Sequence, residues 1–265
     1  LLDSGCVCCQ IRGELKQAIL DLLTKRHLKE IPQFERIVIE TTGLSDPLQI
    51  YSTLIMDPVL RNKISLNNVT TIVDCLNSMS LHSKQPEWAA QVAAANLIIL
   101  SKTDLVTKNQ QLEVEKWVSE LNPIAQIAIA GEKLDWTDRK KNLNHLINIA
   151  SSDYNAHGGA TTIALKIDFQ VDWTAFVVWL SALIHRYGDK ILRVKCLLNT
   201  IENGALLIDG VGHTLHQPQH LEAWPDSDPR SRIVFIARGL DLRLVEASFR
   251  VFVERLAGSE IGNLE

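Results

Sequence analysis

The sequence predicts an α/β protein in which a parallel sheet with helices on its faces is followed by a smaller α+β domain. In the first 150 residues, short apolar runs alternate with amphipathic segments, the order that produces right-handed crossovers and parallel strands. A polar, glycine-rich stretch at 151–160 then gives way to strands separated by short turns, which is typical of a mainly antiparallel sheet. We therefore expect domains at 1–150 and 161–265, joined by a linker at 151–160.

The composition is that of an ordinary globular protein. The 265 residues include 27 basic and 31 acidic side chains, a net charge of -4, and 46% of them are hydrophobic. This balance offers no basic surface for nucleic acid, and no apolar run is long enough to span a bilayer. Nothing at the N-terminus resembles a secretory signal. We expect a cytoplasmic protein that binds neither nucleic acid nor membrane.

The first predicted elements are a helix, a strand and a helix start. Apolar residues at helical spacing predict a helix that follows Cys9 and fades near His27. The β-branched run at 36–40 predicts a strand buried on both faces of the parallel sheet. Ser45-Asp46-Pro47 then supplies a helix start, because Asp46 can act as N-cap and proline suits the first helical position.

The remaining elements follow from the same periodicities. Alternation of apolar and polar residues at 163–169 predicts a half-buried strand, and Asp172 can cap a helix that ends near Gly188. The other predicted strands lie at 69–73, closing on Asp74, and at 96–100, 124–129, 191–198, 205–208 and 232–237, and the other helices at 88–95, 111–121 and 241–256.

Glu40 is a candidate ligand at the end of the predicted strand 36–40. In open α/β sheets, ligands bind at the carboxyl edge of the strands. A carboxylate there can hold a magnesium ion or its water shell, and Gly43 would let a backbone N–H approach a phosphate closely. The alternative is a buried strand that happens to end in an acid near a glycine.

Ser101-Lys102-Thr103-Asp104 follows the predicted strand 96–100 and suggests recognition of a guanine base. The Asp104 carboxylate can accept hydrogen bonds from the N1–H and the exocyclic amino group of guanine, a pair of donors that adenine does not present. The methylene stem of Lys102 can lie over the purine ring while its charged end stays in water. The alternative is an ordinary surface loop, but its position one βαβ unit after Asp74 favours the nucleotide interpretation.

Three of the five cysteines lie within four residues, at Cys6, Cys8 and Cys9. They precede a predicted helix, whose free N–H groups lower thiol pKa values and favour thiolates. Three thiolates leave a tetrahedral zinc ion with one open position, which suits a metal that is handed on. Unreactive thiols or a redox pair are the alternatives. Cys75 and Cys196 follow or lie within predicted strands, so we interpret both as core residues.

With these residues in place, the chain closely resembles the CobW-type family of GTP-dependent metallochaperones. This family is a branch of the P-loop GTPases in which glutamate replaces the usual Walker B aspartate. The resemblance runs in order along nearly the whole length and includes two stretches of the second domain, 190–195 and 231–236. The matching motifs of the first domain are Gly5-Cys6-x-Cys8-Cys9, Arg12-Gly13-Glu14-Leu15, Glu40 with Gly43, Asp46 and Pro47, and Ser101-Lys102-Thr103-Asp104, in which Ser101 stands where the family usually has asparagine.

The resemblance implies a GTPase that uses magnesium, binds zinc or a related divalent metal, and delivers the metal to a client metalloprotein. By the same resemblance, Glu40 is the catalytic residue. The implied GTP-binding residues are Gly43, Ser101, Lys102 and Asp104, and the implied metal ligands are Cys6, Cys8 and Cys9.

One family motif does not occur in the sequence. The phosphate-binding Gly-x-x-x-x-Gly-Lys-[Ser/Thr] loop, which in this family lies upstream of the cysteines on the first strand, is found nowhere in the 265 residues. We therefore expect the GTPase domain to lack its N-terminal P-loop segment. Two alternatives stay open: a non-catalytic metal-binding or partner-docking short form, and a nickel-insertion GTPase of the urease or hydrogenase accessory type. The cysteine cluster and the second domain speak against the nickel enzyme.

Overall fold

A computed structural model describes residues 7–81, 85–132, 155–157, 159–201 and 204–254. The chain divides into two compact units, which we call the N-terminal unit (1–66) and the C-terminal unit (67–265). The fold is mixed α/β, as predicted, with a three-stranded parallel sheet and a seven-stranded antiparallel sheet. None of the helices in the described ranges is long and apolar enough for a membrane span.

The N-terminal unit contains two helices, α1 (Val7–His27) and α2 (Pro47–Met56), and a 3₁₀ helix (Leu60–Asn62). The end of α1 at His27 agrees with the prediction. The start of α2 does too, because the Asp46 carboxylate accepts a hydrogen bond from Leu48 N at 2.9 Å. The small core of this unit consists of Ile19, Leu54 and Leu60.

The strand predicted at 36–40 is wrong for the described structure. These residues form no strand, and no described strand pairs with them. Ile37 and Ile39 pack, half-buried, against the small core, but the Val38 side chain between them is 83% exposed. The β-branched residues favour extended backbone, and burial on both faces requires neighbouring strands and a second layer. Here the segment is covered on one side only.

The first part of the C-terminal unit is a parallel sheet with its helices. The first two strands are each followed by helical structure, and both predicted helices and all three predicted strands are present. Val73, Ile98 and Leu100 are buried, as expected for a parallel sheet, but Ile72 in the first strand is 69% exposed. The elements in chain order are β1 (Thr70–Asp74), α3 (Cys75–Leu81), α4 (Pro86–Ala94), β2 (Leu97–Ser101), α5 (Lys108–Leu121) and β3 (Gln126–Ile129), with sheet order β1-β2-β3.

The second part of the C-terminal unit is the antiparallel sheet with two helices. Its elements are β4 (Asn155–His157), β5 (Ala160–Ile167), α6 (Trp173–Tyr187), β6 (Ile191–Thr200), β7 (Gly204–Val211), β8 (Thr214–Leu215), β9 (Gln219–His220), β10 (Ser231–Arg238) and α7 (Leu242–Phe249), followed by a π-helix (Arg250–Glu254). The predicted cap is confirmed, because Asp172 accepts a hydrogen bond from Ala175 N at 2.6 Å. The short strand β4 lies within the stretch predicted as a linker.

The inner face of the antiparallel sheet packs against α6 and α7. Trp179 is central to this core, with its ring centroid 5.2 Å from that of Phe249 and 5.9 Å from that of Phe235. The Trp179 indole N–H donates to Ser248 Oγ at 3.0 Å, which satisfies its one polar group. Aromatic packing of this kind makes the sheet and its two helices one core.

The outer face of the sheet is buried as well, although the sequence predicts a half-buried strand at 163–169. Thr162 of β5 donates from its hydroxyl to Leu121 O, at the end of α5, at 2.6 Å. Arg193 of β6 donates to Ala94 O, at the end of α4, and also forms an ion pair with Asp209 at 2.8 Å. The helices of the parallel sheet therefore supply the second cover.

Helix α4 is held at both ends. Arg238 donates to Pro86 O at its first residue, and Arg193 reaches its last carbonyl. The last carbonyl groups of a helix lack partners within the helix. Here Asn122 Nδ2 also donates to Val92 O, Ala93 O and Ala95 O, at 2.7, 3.1 and 3.0 Å. The two sheets are thus fastened to each other through α4 within the C-terminal unit.

Candidate functional site

The carboxyl ends of β1 and β2 bring together the polar residues that the sequence predicts there. Asp74 and Ser101 are register partners in the parallel pair, and Lys102 follows directly. The Ser101 hydroxyl donates to Val73 O at 3.2 Å, and the Lys102 ammonium donates to Asp74 Oδ2 at 2.7 Å. Two side-chain hydrogen bonds therefore join the two strand ends at the sheet edge where α/β proteins bind ligands.

Lys102 has a left-handed backbone conformation, with φ of 56° and ψ of 32°. Residues other than glycine rarely adopt this region, and such conformations persist where the surroundings hold them. Lys102 O accepts a hydrogen bond from Leu105 N at 3.1 Å, and the 3₁₀ helix Thr103–Leu105 begins at the next residue. The loop after β2 is therefore a formed turn that ends the strand sharply.

The two carboxylates of this edge differ in their bonding. Asp104 is exposed, and within the described ranges it makes no hydrogen bond or ion pair, so its oxygens can accept from a ligand. Asp74 accepts from Leu76 N at 2.9 Å, Asn77 N at 3.2 Å, Asn77 Nδ2 at 2.7 Å and the Lys102 ammonium. Partial burial favours a higher pKa for Asp74, but the bonds from Lys102 and Asn77 outweigh it and lower the pKa.

Asp74 is a residue of this edge that sequence reasoning treated only as the end of a strand. Its partner Lys102 is 28 residues away along the chain. The sequence contains a signal for this ion pair, since one predicted strand ends in a carboxylate and the next in a lysine. Adjacent parallel strands end side by side, so the two side chains could have been expected to meet.

Glu40 and Gly43 lie in the N-terminal unit, in irregular backbone, and both are exposed. Gly43 belongs to a turn in which Ser45 N donates to Thr42 O at 3.0 Å and the two hydroxyl groups are 2.8 Å apart. A side chain at Gly43 would meet no atom within 4 Å, so packing does not require a glycine there. The segment offers an exposed carboxylate beside hydroxyl groups, a donor set compatible with a hard cation.

The cysteine cluster is only partly described. Cys6 lies outside the described residues, whereas Cys8 and Cys9 lie in the first turn of α1, since the helix begins at Val7. The prediction that Cys8 and Cys9 precede the helix is therefore wrong. The nearest residue upstream that disfavours a helix is Gly5, so nothing in the sequence keeps these two cysteines out of the helix. In the rest of the described chain, no three His, Cys, Asp or Glu side chains gather as a metal site.

The other two cysteines pack in the core, as predicted. Cys75 and Cys196 are fully buried and unpaired. Burial raises the pKa of both thiols, so they stay protonated at neutral pH. Neither has the exposed, electropositive surroundings of a metal-binding or reactive thiol.

Two family models match this chain. The model described as the CobW/HypB/UreG nucleotide-binding domain matches residues 1–128. The model of the C-terminal domain of the cobalamin synthesis protein cobW matches residues 160–253.

Curated proteins and a solved structure are also similar to this chain. A protein named zinc chaperone YjiA, from Escherichia coli strain K12, is 28% identical over 256 residues, covering 94% of this chain and 80% of its own. A zinc-regulated GTPase metalloprotein activator 1 of Schizosaccharomyces pombe is 28% identical over 127 residues, covering 48% of this chain and 30% of its own. The crystal structure of Zn(II)-bound YjiA GTPase from E. coli superposes with a TM-score of 0.73 at 27% identity, covering 90% of this chain and 77% of that one.

Proposed function

The chain belongs to the CobW family, and from this premise we propose that it is a zinc chaperone that hydrolyses GTP and delivers its metal to a client protein. The observation that carries the proposal is the edge formed by β1 and β2, where Lys102 is hydrogen-bonded to Asp74 and Asp104 has no partner among the residues that the structure describes. The names of the relatives, a zinc chaperone and a zinc-regulated GTPase, support the same conclusion.

The base-binding role falls to the loop after β2. Asp104 accepts the two donors of guanine, and the stem of Lys102 covers the face of the ring. The sharp turn at Lys102 lets the two side chains take different roles. The lysine reaches towards β1, where it bonds Asp74, while Asp104 lies in the 3₁₀ helix that follows. Ser101 fixes the end of the strand through Val73 O.

Glu40 and Gly43 are the residues that we propose for magnesium and phosphate. Glu40 is the candidate catalytic residue and can hold Mg²⁺ directly or through its water shell. Bound Mg²⁺ would neutralise charge on the phosphate groups. Gly43 is the candidate for a close backbone contact to phosphate, and the turn at 42–45 gives this contact a defined backbone.

Zinc is the cargo in this proposal, with Cys6, Cys8 and Cys9 as ligands. Cys8 and Cys9 lie at the N-terminal end of α1, where free N–H groups and the helix dipole favour thiolates. Further along α1, Arg26 donates to Phe34 O at 3.0 Å, and Ile37 packs against the core that contains Ile19. The segment that leads to Glu40 therefore rests on the helix that carries two of the cysteines.

This contact suggests that nucleotide and zinc sense each other. A change in the segment from Glu40 to Asp46 on GTP binding would shift its support on α1 and so alter the thiol geometry. By linkage, zinc and nucleotide must then change each other's affinity by the same factor.

The experiment measures both ligands on the gene product. Its GTP hydrolysis rate is followed with and without zinc, and its zinc affinity is titrated in the GDP-bound and GTP-analogue-bound forms. We expect hydrolysis that zinc alters and two different zinc affinities. Equal affinities would contradict the coupling, and absence of guanine-nucleotide binding would contradict the GTPase and favour a non-catalytic metal-binding protein.

Cys8→Ser tests the cargo site. It should lower zinc affinity strongly and leave the protein folded, because residue 8 lies in the first turn of a helix. Cys75→Ala is the matched control, since this buried thiol should contribute nothing to zinc binding. Unchanged zinc affinity in Cys8→Ser would count against the cluster.

A further inference from the structure

We propose that Asp74 is a positioning residue for nucleotide binding, acting through Lys102. The inference rests on the proposed function, since it assigns to Asp74 the task of holding the lysine stem where the purine ring lies. Asp74 would not touch the nucleotide itself. Its contribution is to fix the lysine in the bound conformation before the ligand arrives.

The geometry supports a lysine held across the edge of the sheet. Lys102 starts at the end of β2, and its ammonium is bonded at the end of β1, 2.7 Å from Asp74 Oδ2. The methylene stem therefore runs from one strand end to the other, and about half of the side chain stays exposed, at 49%. An apolar stem lying across the carboxyl edge, with its charge already neutralised, is a platform for an aromatic ring.

Asp74 is itself fixed. Its Oδ1 accepts the backbone N–H groups of Leu76 and Asn77 at the start of α3, and its Oδ2 accepts from Asn77 Nδ2 as well as from Lys102. A carboxylate bonded to a helix start and to a neighbouring side chain has little rotational freedom. The lysine is thus anchored to the end of a strand that is itself hydrogen-bonded along its length to β2.

Fixing the lysine in advance should strengthen binding. A free lysine side chain loses conformational entropy when a ligand orders it, whereas one already held has lost that freedom on folding. The advantage applies to any purine nucleotide, because the stem contacts the ring face. The choice between guanine and adenine stays with Asp104.

The N-terminal unit contains the same arrangement without a base-binding loop. Asp57 Oδ1 accepts Val59 N and Leu60 N at 2.9 and 3.0 Å, and its Oδ2 lies 2.7 Å from Lys16 Nζ. Asp57 and Asp74 thus cap a helical turn and hold a lysine in the same way. Asp57→Asn is a matched control that removes the same interaction elsewhere.

The test compares Asp74→Asn with the wild-type gene product. Asparagine is as good an N-cap as aspartate, so the helix start is retained while the charge that holds Lys102 is lost. We expect the Kd for GDP and the KM for GTP to rise by about three- to tenfold. The kcat and the ratio of GDP to ADP affinity should stay unchanged. Asp57→Asn should change none of these quantities.

A double-mutant cycle with Lys102→Met separates positioning from a structural role. Methionine keeps an apolar stem but has no ammonium, so it should show the same loss alone, and Asp74→Asn should add nothing to it. An undiminished effect of Asp74→Asn in the Lys102→Met background, or none in the wild-type background, would overturn the inference. If the wild-type protein bound no guanine nucleotide at all, the proposed function would fail instead, which is a separate result.

Discussion

The two sheets of the C-terminal unit both carry charged side chains, but they use them differently. At the edge of the parallel sheet, Lys102 and Asp104 are exposed, and one carboxylate is left without a partner in the described chain. On the outer face of the antiparallel sheet, Arg193 is 1% exposed and is bonded to Asp209 and to Ala94 O. The exposed charges of the parallel sheet are available to a ligand, whereas the buried arginine of the antiparallel sheet is already bonded to groups of the protein.

The buried charges also join the two sheets of the C-terminal unit. Arg193, a buried charge of the antiparallel sheet, donates to the end of α4, and the chain then passes directly into β2 and the loop that follows it. Loss of a buried charge partner should therefore affect the free energy of unfolding, whereas loss of an exposed one should affect ligand selectivity.

Replacing Arg193 should have the largest effect. Arg193→Met leaves the Asp209 carboxylate and the end of α4 without their cationic donor in a buried interface, which should lower the free energy of unfolding by roughly 3–5 kcal/mol. Urea denaturation measures the change. Arg243→Met, which removes an exposed pair with Asp241, is the control and should cost only about 0.2–1 kcal/mol. Similar losses in the two variants would contradict this difference between buried and exposed charges.

Lys195 should make stability depend on pH. Its burial lowers the pKa from 10.5 to about 8, despite the opposing effect of Asp209. In the unfolded chain the lysine keeps its ordinary pKa, so between these values the unfolded state binds more protons. The free energy of unfolding should then rise with pH across this window, by roughly 2–3 kcal/mol.

Lys195→Met is the comparison for that pH dependence. Its unfolding, measured by urea denaturation at several pH values from 8 to 10.5, should lack this rise. If the free energy of unfolding changed with pH in the same way in the variant and the wild type, burial would not lower the pKa of Lys195.

Replacing Asp104 should change selectivity and leave stability nearly unaltered. Asp104→Ala leaves two guanine donors unpaired, at roughly 1–3 kcal/mol, so the preference for GDP over ADP should fall by about ten- to a hundredfold. Competition binding on the gene product measures it. Glu113→Ala, another exposed carboxylate of this unit, should keep the preference. A preserved preference in Asp104→Ala would refute its role.

The smallest effect is expected at Thr162. Thr162→Val keeps the shape of the side chain but removes the hydrogen bond to Leu121 O, at a cost of about 1 kcal/mol in unfolding free energy. Thr161→Val, the neighbouring position on β5, is the control. An unchanged midpoint for Thr162→Val would show that this hydrogen bond contributes nothing to the joint between the sheets.

The sequence predicts best what depends on neighbours along the chain. The strands β1, β2 and β3, the caps at Asp46 and Asp172, and the loop after β2 follow from periodicity and turn chemistry within a few residues. The segment 36–40 has the same local signature but forms no strand, because pairing depends on residues far away. A run of β-branched residues therefore predicts extended backbone more reliably than it predicts pairing in a sheet.

Contacts between distant segments could not be predicted in this way. The bond between Arg193 and Ala94 spans 99 residues. The bond between Lys102 and Asp74 spans 28 residues and can be inferred only once β1 and β2 are taken as neighbouring strands. An arginine and a lysine in a predicted strand look like solvent-exposed residues until a second layer covers them. The docking of the two sheets is thus a property of packing, which no local pattern encodes.

Hydrogen–deuterium exchange of the gene product with and without GDP and Mg²⁺ tests the central claim most directly. Amides at 74–77 and 101–105 should gain protection on nucleotide binding, while those of β6 and β10 should keep the protection they already have. Protection gained on β6 and β10, with none at 101–105, would contradict the account.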